Sequence, residues 1–253
     1  MSIRLTFADA RIWRYVLRGL ADFIEVVGLK VHPEEGIRLK AMDPSHVMLV
    51  DFFIPKSAFE EFVVEKETLL FIHLEKVSKI LRRASRSDKL MLESDGTRLS
   101  IGLISKGGVI RTFSMPLISS TYEEVPELSL EFNTYAKTLG PTVSSALSIL
   151  EDVGDVIKIK VQKEGISLTG SSELGEIEFI FNTTTGTLID FQPPQEIEEF
   201  TNSYSSEYIT FITPVAKIAE TVTFRLGPEL PCEISLDLVA ETKLKLYVAP
   251  RVE

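Results

Sequence analysis

The sequence predicts an α+β protein of two similar halves, each made of antiparallel β-sheets with two α-helices on one face. Three observations predict this fold class. Most of the chain alternates apolar and polar residues at period two, and only four segments keep helical spacing. A long helix and then a short helix, each followed by strands, occur once in each half. With 253 residues, 44% of them hydrophobic, the chain can form the core of one large domain or of two ordinary ones.

Short segments rich in branched and aromatic residues predict the strands. They are separated by turn residues such as Asp95-Gly96 and Gly107-Gly108, which are typical of antiparallel hairpins. We expect about sixteen strands in the whole chain. The clearest are GIRLKA (36–41), HVMLVDF (46–52), TLLFIHL (68–74), KLMLES (89–94), RLSIGL (98–103) and VIRTFSMPL (109–117).

Four segments have apolar residues three and four positions apart, which is typical of amphipathic helices. Their apolar positions are, in chain order, Ile12, Val16, Leu20 and Phe23; Val77, Ile80, Leu81 and Ala84; Val143, Ala146, Leu147 and Leu150; and Val215, Ile218 and Ala219. We therefore expect two helices in each half.

Direct matches between the halves indicate a duplication. EEGIRL (34–39) is similar to KEGISL (163–168), and HLEKVSKI (73–80) is similar to FITPVAKI (211–218). Both matches are separated by about half the chain and keep the same order, which is typical of an internal repeat. Chance similarity between short apolar strands is the alternative.

The segment LISSTYEEVPELSL (117–130) has a proline, paired glutamates and no periodicity until Glu127, which indicates a linker. We therefore predict an N-terminal domain at 1–117, a connecting loop at 118–127 and a C-terminal domain at 128–253.

Composition excludes several classes of protein. The 27 basic and 37 acidic residues give a net charge of -10, which argues against general attraction to nucleic acid or to anionic membranes. The single cysteine, Cys232, cannot form an internal disulfide, so a reducing compartment fits best. The first twenty residues carry arginines through their apolar stretch, so we expect neither a signal peptide nor a membrane span, but a soluble protein.

Positive charge is concentrated on the two helices of the first half, where it forms one stripe on each helix. The cations are Arg11, Arg14 and Arg18 on the first helix, and Lys76, Lys79, Arg82, Arg83 and Arg86 on the second. Such stripes attract phosphates without reading base sequence, although an ordinary solvated helix face is the alternative. The second half has Ser144, Ser145, Ser148 and Glu151 on the expected polar side, and only Lys137 and Lys217 lie on or near its matching elements.

The segment AMDPSHVMLVDFFIP (41–55) contains Asp43, Ser45 and His46 but does not predict a catalytic triad. Adjacent residues of an extended chain point to opposite faces, so Ser45 and His46 cannot share a proton, and Asp-Pro-Ser is typical of a turn. The three histidines are scattered, and no zinc, phosphate-loop or nucleophile-elbow motif occurs. We expect no enzyme, metal or cofactor. A monomeric peptide-binding module remains an alternative, as does, less favoured, a hydrolase with a dispersed site.

Four segments resemble the sliding clamps of the proliferating cell nuclear antigen type, in their archaeal form. MDPSHVMLV resembles the family's Met-Asp-x-Ser-His-Val segment, and VSKILRRA resembles its second helix. SSELGEIEF resembles its Ser-Gly-Glu-Leu-Gly segment, and KLKLYVAPRVE resembles its carboxyl-terminal Tyr-x-Ala-Pro-Lys/Arg tail. The resemblance covers essentially the whole chain, and the four segments lie in the family's order and spacing.

The resemblance implies a ring of three two-domain subunits that encircles duplex DNA, with the helices around a central hole and the sheets outside. Partners would be DNA held without sequence specificity and two further clamp subunits, in a homotrimer or, given the weakly basic second half, a heterotrimer. A polymerase, clamp loader, ligase and flap nuclease would bind through short peptide motifs. No membrane is implied. The protein would be cytoplasmic and nucleoid-associated in an archaeon, and nuclear in a eukaryote.

The resemblance also assigns residues to each surface. DNA would contact Arg11, Arg14, Arg18, Lys76, Lys79, Arg82, Arg83, Arg86, Lys137 and Lys217. An outer pocket for partner peptides would use Met42, His46, Val47, Leu49, Val125, Leu128, Pro231, Tyr247, Val248, Ala249 and Pro250. Subunits would pair through edge strands that contain Arg111, Phe113, Glu176, Ile177, Glu178 and Phe179, with Arg111 opposite Glu176 or Glu178.

Overall fold

The computed structural model describes residues 3–173, 175–195 and 197–252. The chain divides into two compact units. The first consists of Met1–Pro44, Val50–Val125 and Val239–Lys243, and the second of Ser45–Leu49, Pro126–Leu238 and Leu244–Glu253. Ser45–Leu49 therefore belongs to the second unit although it lies in the first half of the chain, and Val239–Lys243 belongs to the first unit although it lies in the second half. The domain bounds predicted from the sequence are instead continuous.

The first unit contains two groups of antiparallel strands and two helices. Its elements are β1 (Ile3–Phe7), α1 (Ala10–Leu20), β2 (Val26–His32), β3 (Gly36–Met42), β4 (Met48–Pro55), β5 (Phe59–Val64), β6 (Thr68–His73), α2 (Leu74–Leu81), β7 (Lys89–Ser94), β8 (Arg98–Ile104) and β9 (Ile110–Pro116). The strands are ordered β5-β1-β7-β8-β9 in one group and β6-β2-β3-β4 in the other. A short 3-10 turn, Lys56–Ala58, joins β4 to β5.

The second unit has the same kind of composition. Its elements are β10 (Thr134–Leu139), α3 (Gly140–Leu150), β11 (Val156–Gln162), β12 (Gly165–Ser172), β13 (Gly175–Asn182), β14 (Asp190–Gln192), β15 (Phe200–Ser205), α4 (Ser206–Thr210), α5 (Thr213–Ala216), β16 (Thr221–Leu226), β17 (Cys232–Asp237) and β18 (Lys243–Val248). The strands are ordered β14-β10-β16-β17-β18 and β13-β12-β11-β15.

The two units repeat one topology element by element. The order β5-β1-β7-β8-β9 corresponds to β14-β10-β16-β17-β18, and β6-β2-β3-β4 corresponds to β15-β11-β12-β13. Helix α3 takes the place of α1, and the pair α4 and α5 takes the place of α2. The α+β class and the duplication are therefore confirmed, with eighteen strands in the part of the chain that the structure describes.

The helices of the first unit bury one side against both of its strand groups. Asp9 caps α1 because its Oδ1 accepts the backbone N–H of Arg11 at 2.9 Å. Trp13 is buried and meets the ring of Phe52 edge to face, with centroids 5.9 Å apart. Both helices share one core with β2, β6, β7 and β8, whose inward side chains pack around a void of only about 10 Å³.

Helix α2 ends earlier than its charge pattern predicts. The spacing of the sequence extends it through Ala84 and Arg86, but the helix ends at Leu81. The reason is local: the carboxylate of Asp88 accepts the backbone N–H of Ser85 at 2.9 Å and also its hydroxyl, which stabilises a turn in place of a further helical turn. Arg86 therefore lies in this turn and not on the helix.

Helix α3 packs closer to its neighbour than a side chain would permit. A Cβ atom at Gly140 would lie 2.3 Å from the carbonyl oxygen of Ala219 and 2.4 Å from that of Ala216. Ser144 is buried, and its hydroxyl donates to the carbonyl of Thr213 at 3.0 Å. The assignment of Ser144 to the solvent side was therefore wrong, because this close packing turns the position inward.

Candidate nucleic-acid and partner interfaces

The three arginines of α1 are not equivalent. Arg11 forms an ion pair with Asp9, Nη2 to Oδ2 at 2.7 Å, and this hydrogen bond is the main cause of its raised pKa. Arg14 is half-buried, and its Nη1 donates to the carbonyl of Ala84 at 3.0 Å. Only Arg18 is exposed. Of the three arginines in the predicted stripe, the fold uses Arg11 and Arg14 for internal bonds and leaves Arg18 exposed.

The cations of α2 and the following turn remain at the surface. Lys79 bonds to Glu75 one turn earlier, at 2.5 Å from Nζ to Oε1, and this bond lowers the pKa of Glu75. Lys76 is exposed and forms no ion pair with any residue that the structure describes. We call Arg82, Arg83 and Arg86 the basic turn; all three are exposed.

The basic turn is built around a buried charge. Asp88 is only 1% exposed, and its carboxylate accepts from Ser85 and from the guanidinium of Arg111. Burial alone would raise the pKa of Asp88, but the hydrogen bonds from Ser85 and the charge of Arg111 outweigh it and hold the pKa below its ordinary value. The ionised carboxylate is thus the form that stabilises the turn.

The second unit has helices in the equivalent places but few cations. Lys137 lies on β10, with its Nζ 3.9 Å from a carboxylate oxygen of Asp237. Lys217 is exposed directly after α5. The exposed side of α3 carries Ser145, Ser148 and Ile149. The two units therefore repeat one geometry with different charge.

The strands assigned to subunit pairing, β9 and β13, are each the last strand of their group. Ile110 on β9 is 53% exposed and Ile180 on β13 is 61% exposed. Glu176 accepts the hydroxyl of Ser171 at 3.2 Å within its own unit. Among the residues that the structure describes, both strands therefore combine an edge without a neighbouring strand and exposed apolar side chains.

Arg111, which the sequence predicts to lie opposite Glu176 or Glu178 of another subunit, has partners within its own unit. Its guanidinium bonds to Asp88 and to the carbonyl of Arg83, because both lie beside β9 in the folded unit. Phe113, two residues along the strand, contacts the guanidinium of Arg83, whose carbon is 5.3 Å from the ring centroid. Glu178, Ile177 and Phe179 lie on β13 as expected.

The residues assigned to the partner pocket lie in both units. In the second unit, the backbone N–H of Ala249 donates to the carbonyl of Val47 at 2.8 Å, which brings the His46 segment beside the carboxyl-terminal residues. His46 is exposed in the left-handed region, at φ 57°. The other accessible members of the set are half-buried or exposed: Leu128, Pro231, Tyr247 and Pro250 in this unit, and Met42 and Val125 in the first.

Two members of the predicted pocket are core residues. Leu49 is 4% exposed and Val248 is fully buried, so neither offers a surface to a peptide. Val248 ends β18 on its buried face, next to the half-buried Ala249, whereas Leu49 lies in the first part of β4, where Met48, Leu49 and Val50 are all buried.

Tyr122, in the segment predicted to connect the two halves, makes a contact that the sequence analysis did not predict. A Cβ atom at Gly28 would lie 3.2 Å from Cδ2 of Tyr122 and 3.0 Å from Cδ1 of Leu69. The ring of Tyr122 therefore rests against β2 where a side chain is missing. The available signal was an isolated glycine inside the strand pattern VVGLKVH, which indicates the close approach of another group.

Groups suited to other chemistry are few. Within the described ranges, no three His, Cys, Asp or Glu side chains are grouped to hold a metal ion, and no helix has the length and apolar character needed to cross a membrane. Cys232 is buried, and burial raises the pKa of its thiol to about 12, so the thiol is protonated at neutral pH and a poor nucleophile.

The chain thus combines a duplicated α+β fold with exposed cations on and after the helices of its first unit. A family model described as the N-terminal domain of proliferating cell nuclear antigen matches residues 2–114. The DNA polymerase sliding clamp 3 of Aeropyrum pernix is 34% identical to this chain, and the match covers 99% of this chain and 98% of that protein. The DNA polymerase sliding clamp of Thermofilum pendens is 33% identical, and the match covers 99% of this chain and 100% of that protein.

A solved structure of the PCNA2–PCNA3 complex from Sulfolobus tokodaii contains a chain with a TM-score of 0.88 and 30% identity. The match covers 99% of the present chain and 100% of the chain in that complex. The present chain belongs to the DNA polymerase sliding clamps of the proliferating cell nuclear antigen type.

The charge of Asp88 predicts a pH dependence of stability. Because its folded pKa lies below the ordinary 3.8, ionised Asp88 contributes stability that is complete above pH 3.8 and lost as the pH falls through the lower folded value. Asp88→Asn should reduce the free energy of unfolding at neutral pH by about 1–3 kcal/mol and flatten its fall on acidification. Urea denaturation over a pH series measures both effects.

The matched control is Asp22→Asn, at an exposed carboxylate after α1. It should leave the free energy of unfolding at neutral pH close to that of the wild type. An acid slope for Asp88→Asn that runs parallel to the wild-type slope would contradict the prediction.

Proposed function

We propose that this chain is one subunit of a three-subunit ring that encircles duplex DNA and tethers replication and repair enzymes to it. The observation that carries this proposal is the set of exposed cations on and after the helices of the first unit, in a chain whose net charge is -10. Arg18, Lys76 and the basic turn supply the surface for phosphates. The role is one of binding and tethering, not of catalysis.

Weak contacts suit this task. Lysine and arginine neutralise phosphates without reading bases, and a closed ring needs no tight grip to stay on DNA. The cations have different roles: Arg11 and Arg14 support the surface, whereas the exposed residues would touch the duplex. Lys137 and Lys217 of the second unit would add two sparse contacts, so the first unit would supply most of the attraction.

Neutralising two cations of the basic turn tests the DNA surface. Arg82→Gln with Arg86→Gln should weaken binding of the assembled protein to a mixed-sequence duplex. It should also lower the slope of log affinity against log salt by about one unit for each phosphate that the variant no longer neutralises. Fluorescence anisotropy over a salt series measures both quantities.

The control for net charge is Lys66→Gln with Lys163→Gln, at exposed lysines in turns between strands. This pair removes the same charge away from the helices and should change the slope little. Equal effects of the two double variants would mean that overall charge, and not the basic turn, attracts DNA.

Assembly would use the edges of β9 and β13 from different subunits. Pairing two terminal strands would satisfy their free backbone groups, and the exposed Ile110 and Ile180 would add apolar contact. Either identical subunits or different clamp subunits can fill such a ring. A monomeric peptide-binding module, the alternative, would have no need of these edges.

Ile180→Glu tests the edge of β13. A carboxylate on the pairing strand should leave the chain near 28.3 kDa in sedimentation, whereas the wild type should reach about three times that mass, alone or mixed with sister clamp subunits. Val63→Glu is the control, since Val63 is 49% exposed on β5, at the opposite end of the sheet that contains β9. A wild-type chain that stays monomeric in both conditions would support the peptide-binding module.

Partner enzymes would bind through peptides with a short helical turn and apolar and aromatic anchors. Within the second unit, the strip formed by Val47, Ala249 and Pro250 is small, apolar and partly exposed, as such an anchor requires. Ala249→Asp should weaken binding of such a peptide about tenfold or more, because a carboxylate would be desolvated against the anchors.

Calorimetric titration measures this effect, and Val252→Asp, three residues further along the same tail and fully solvated, is the control. Tenfold weakening by both variants would indicate a general effect of tail charge and would contradict this site.

A further inference from the structure

Arg111 joins an edge strand to the basic turn. Its Nη1 donates to the carbonyl of Arg83 at 3.0 Å, and its Nη2 donates to the carboxylate of Asp88. One planar guanidinium thus bonds to both ends of the turn that carries the exposed cations. Lysine, with a single ammonium group, cannot hold two acceptors in this fixed geometry.

The turn is also held from the side of α1. Arg14 Nη1 donates to the carbonyl of Ala84 at 3.0 Å, and the carbonyl of Asp88 accepts the backbone N–H of Ala10 at 3.0 Å. Two arginines, Arg14 and Arg111, therefore bond inward to the turn, whereas the three arginines of the basic turn face outward.

The orientation of β9 fixes which of its side chains reach the turn. Arg111 is paired with Leu103 and Phe113 with Ile101, both buried positions of β8, so Arg111 and Phe113 project on the same, core-facing side of the sheet. Phe113 then lies under the guanidinium of Arg83, at 5.3 Å. The backbone and the side chain of Arg83 are thus both positioned by residues of one strand.

We propose that Arg111 is a positioning residue for DNA binding, which holds Arg83 and the basic turn in place for phosphate contact and so couples the edge strand β9 to the DNA surface. This inference rests on the proposed function, because it assumes that the basic turn meets DNA and that β9 meets another subunit. If Arg111 only neutralises Asp88, a lysine at this position should serve equally well.

A double-mutant cycle tests the role of Arg111. The variants are Arg83→Gln, Arg111→Lys and the two together, and the probe is a short mixed-sequence duplex titrated with the assembled protein. Arg111→Lys keeps the charge and should weaken binding about fivefold. The double variant should lose less affinity than the two single losses combined, because Arg111 acts in part through Arg83.

Arg98→Lys is the matched control. Arg98 makes the same kind of contact with β9, since its Nε donates to the hydroxyl of Ser114 at 3.1 Å, but it lies on the opposite side of the sheet from the turn. This variant should leave binding near the wild-type level, and its small effect should add to that of Arg83→Gln. Wild-type binding by Arg111→Lys, or additive losses in the cycle with Arg83→Gln, would overturn the inference.

Hydrogen exchange separates this inference from the proposed function. The amide of Ser85 bonds to Asp88 and should exchange faster in Arg111→Lys than in Arg98→Lys or the wild type. Unchanged exchange at Ser85 would overturn the positioning role whatever the DNA result. Absence of DNA binding by the assembled wild-type protein would instead overturn the proposed function, and the positioning role in DNA binding with it.

Discussion

In each unit, two helical elements bury one side against antiparallel strands. This burial determines which side of each helix is exposed. In the first unit, Trp13 and the apolar side of α2 share a core with strands of both groups, so only the opposite side of each helix can meet a ligand. In the second unit, the close approach at Gly140 has the same consequence for α3. The same packing arrangement thus leaves one exposed helical surface in each unit, and the residues at the exposed positions determine the charge of that surface.

The first unit divides its cations between support and contact. Half-buried Arg14 bonds to the backbone carbonyl of Ala84 and fixes a turn, whereas Arg18, Lys76 and the basic turn remain exposed. The Lys79–Glu75 pair is exposed on both sides, and such pairs contribute little to stability, so breaking it would cost little free energy. A chain of negative net charge can therefore present a positive surface, because its cations are concentrated on few elements.

The buried carboxylate of Asp88 connects these features. A buried charge needs hydrogen-bond partners, and Asp88 takes them from Ser85 in its own turn and from Arg111 on β9. This arrangement ends α2, exposes Arg86 in a turn and uses the charge of Arg111 within the unit. The edge of β9 is left with backbone groups and exposed apolar side chains such as Ile110.

The sequence by itself determined the α+β class, the duplication and the concentration of positive charge, because period-two and helical spacings are local properties of the chain. Tertiary structure decided what each side chain meets. The burial of Ser144 and Leu49, and the bond from Arg111 to Asp88, depend on which strands and helices become neighbours and in which register. Periodicity gives the side of an element on which a residue lies, but the group opposite that residue comes from a distant part of the chain and is fixed only by packing.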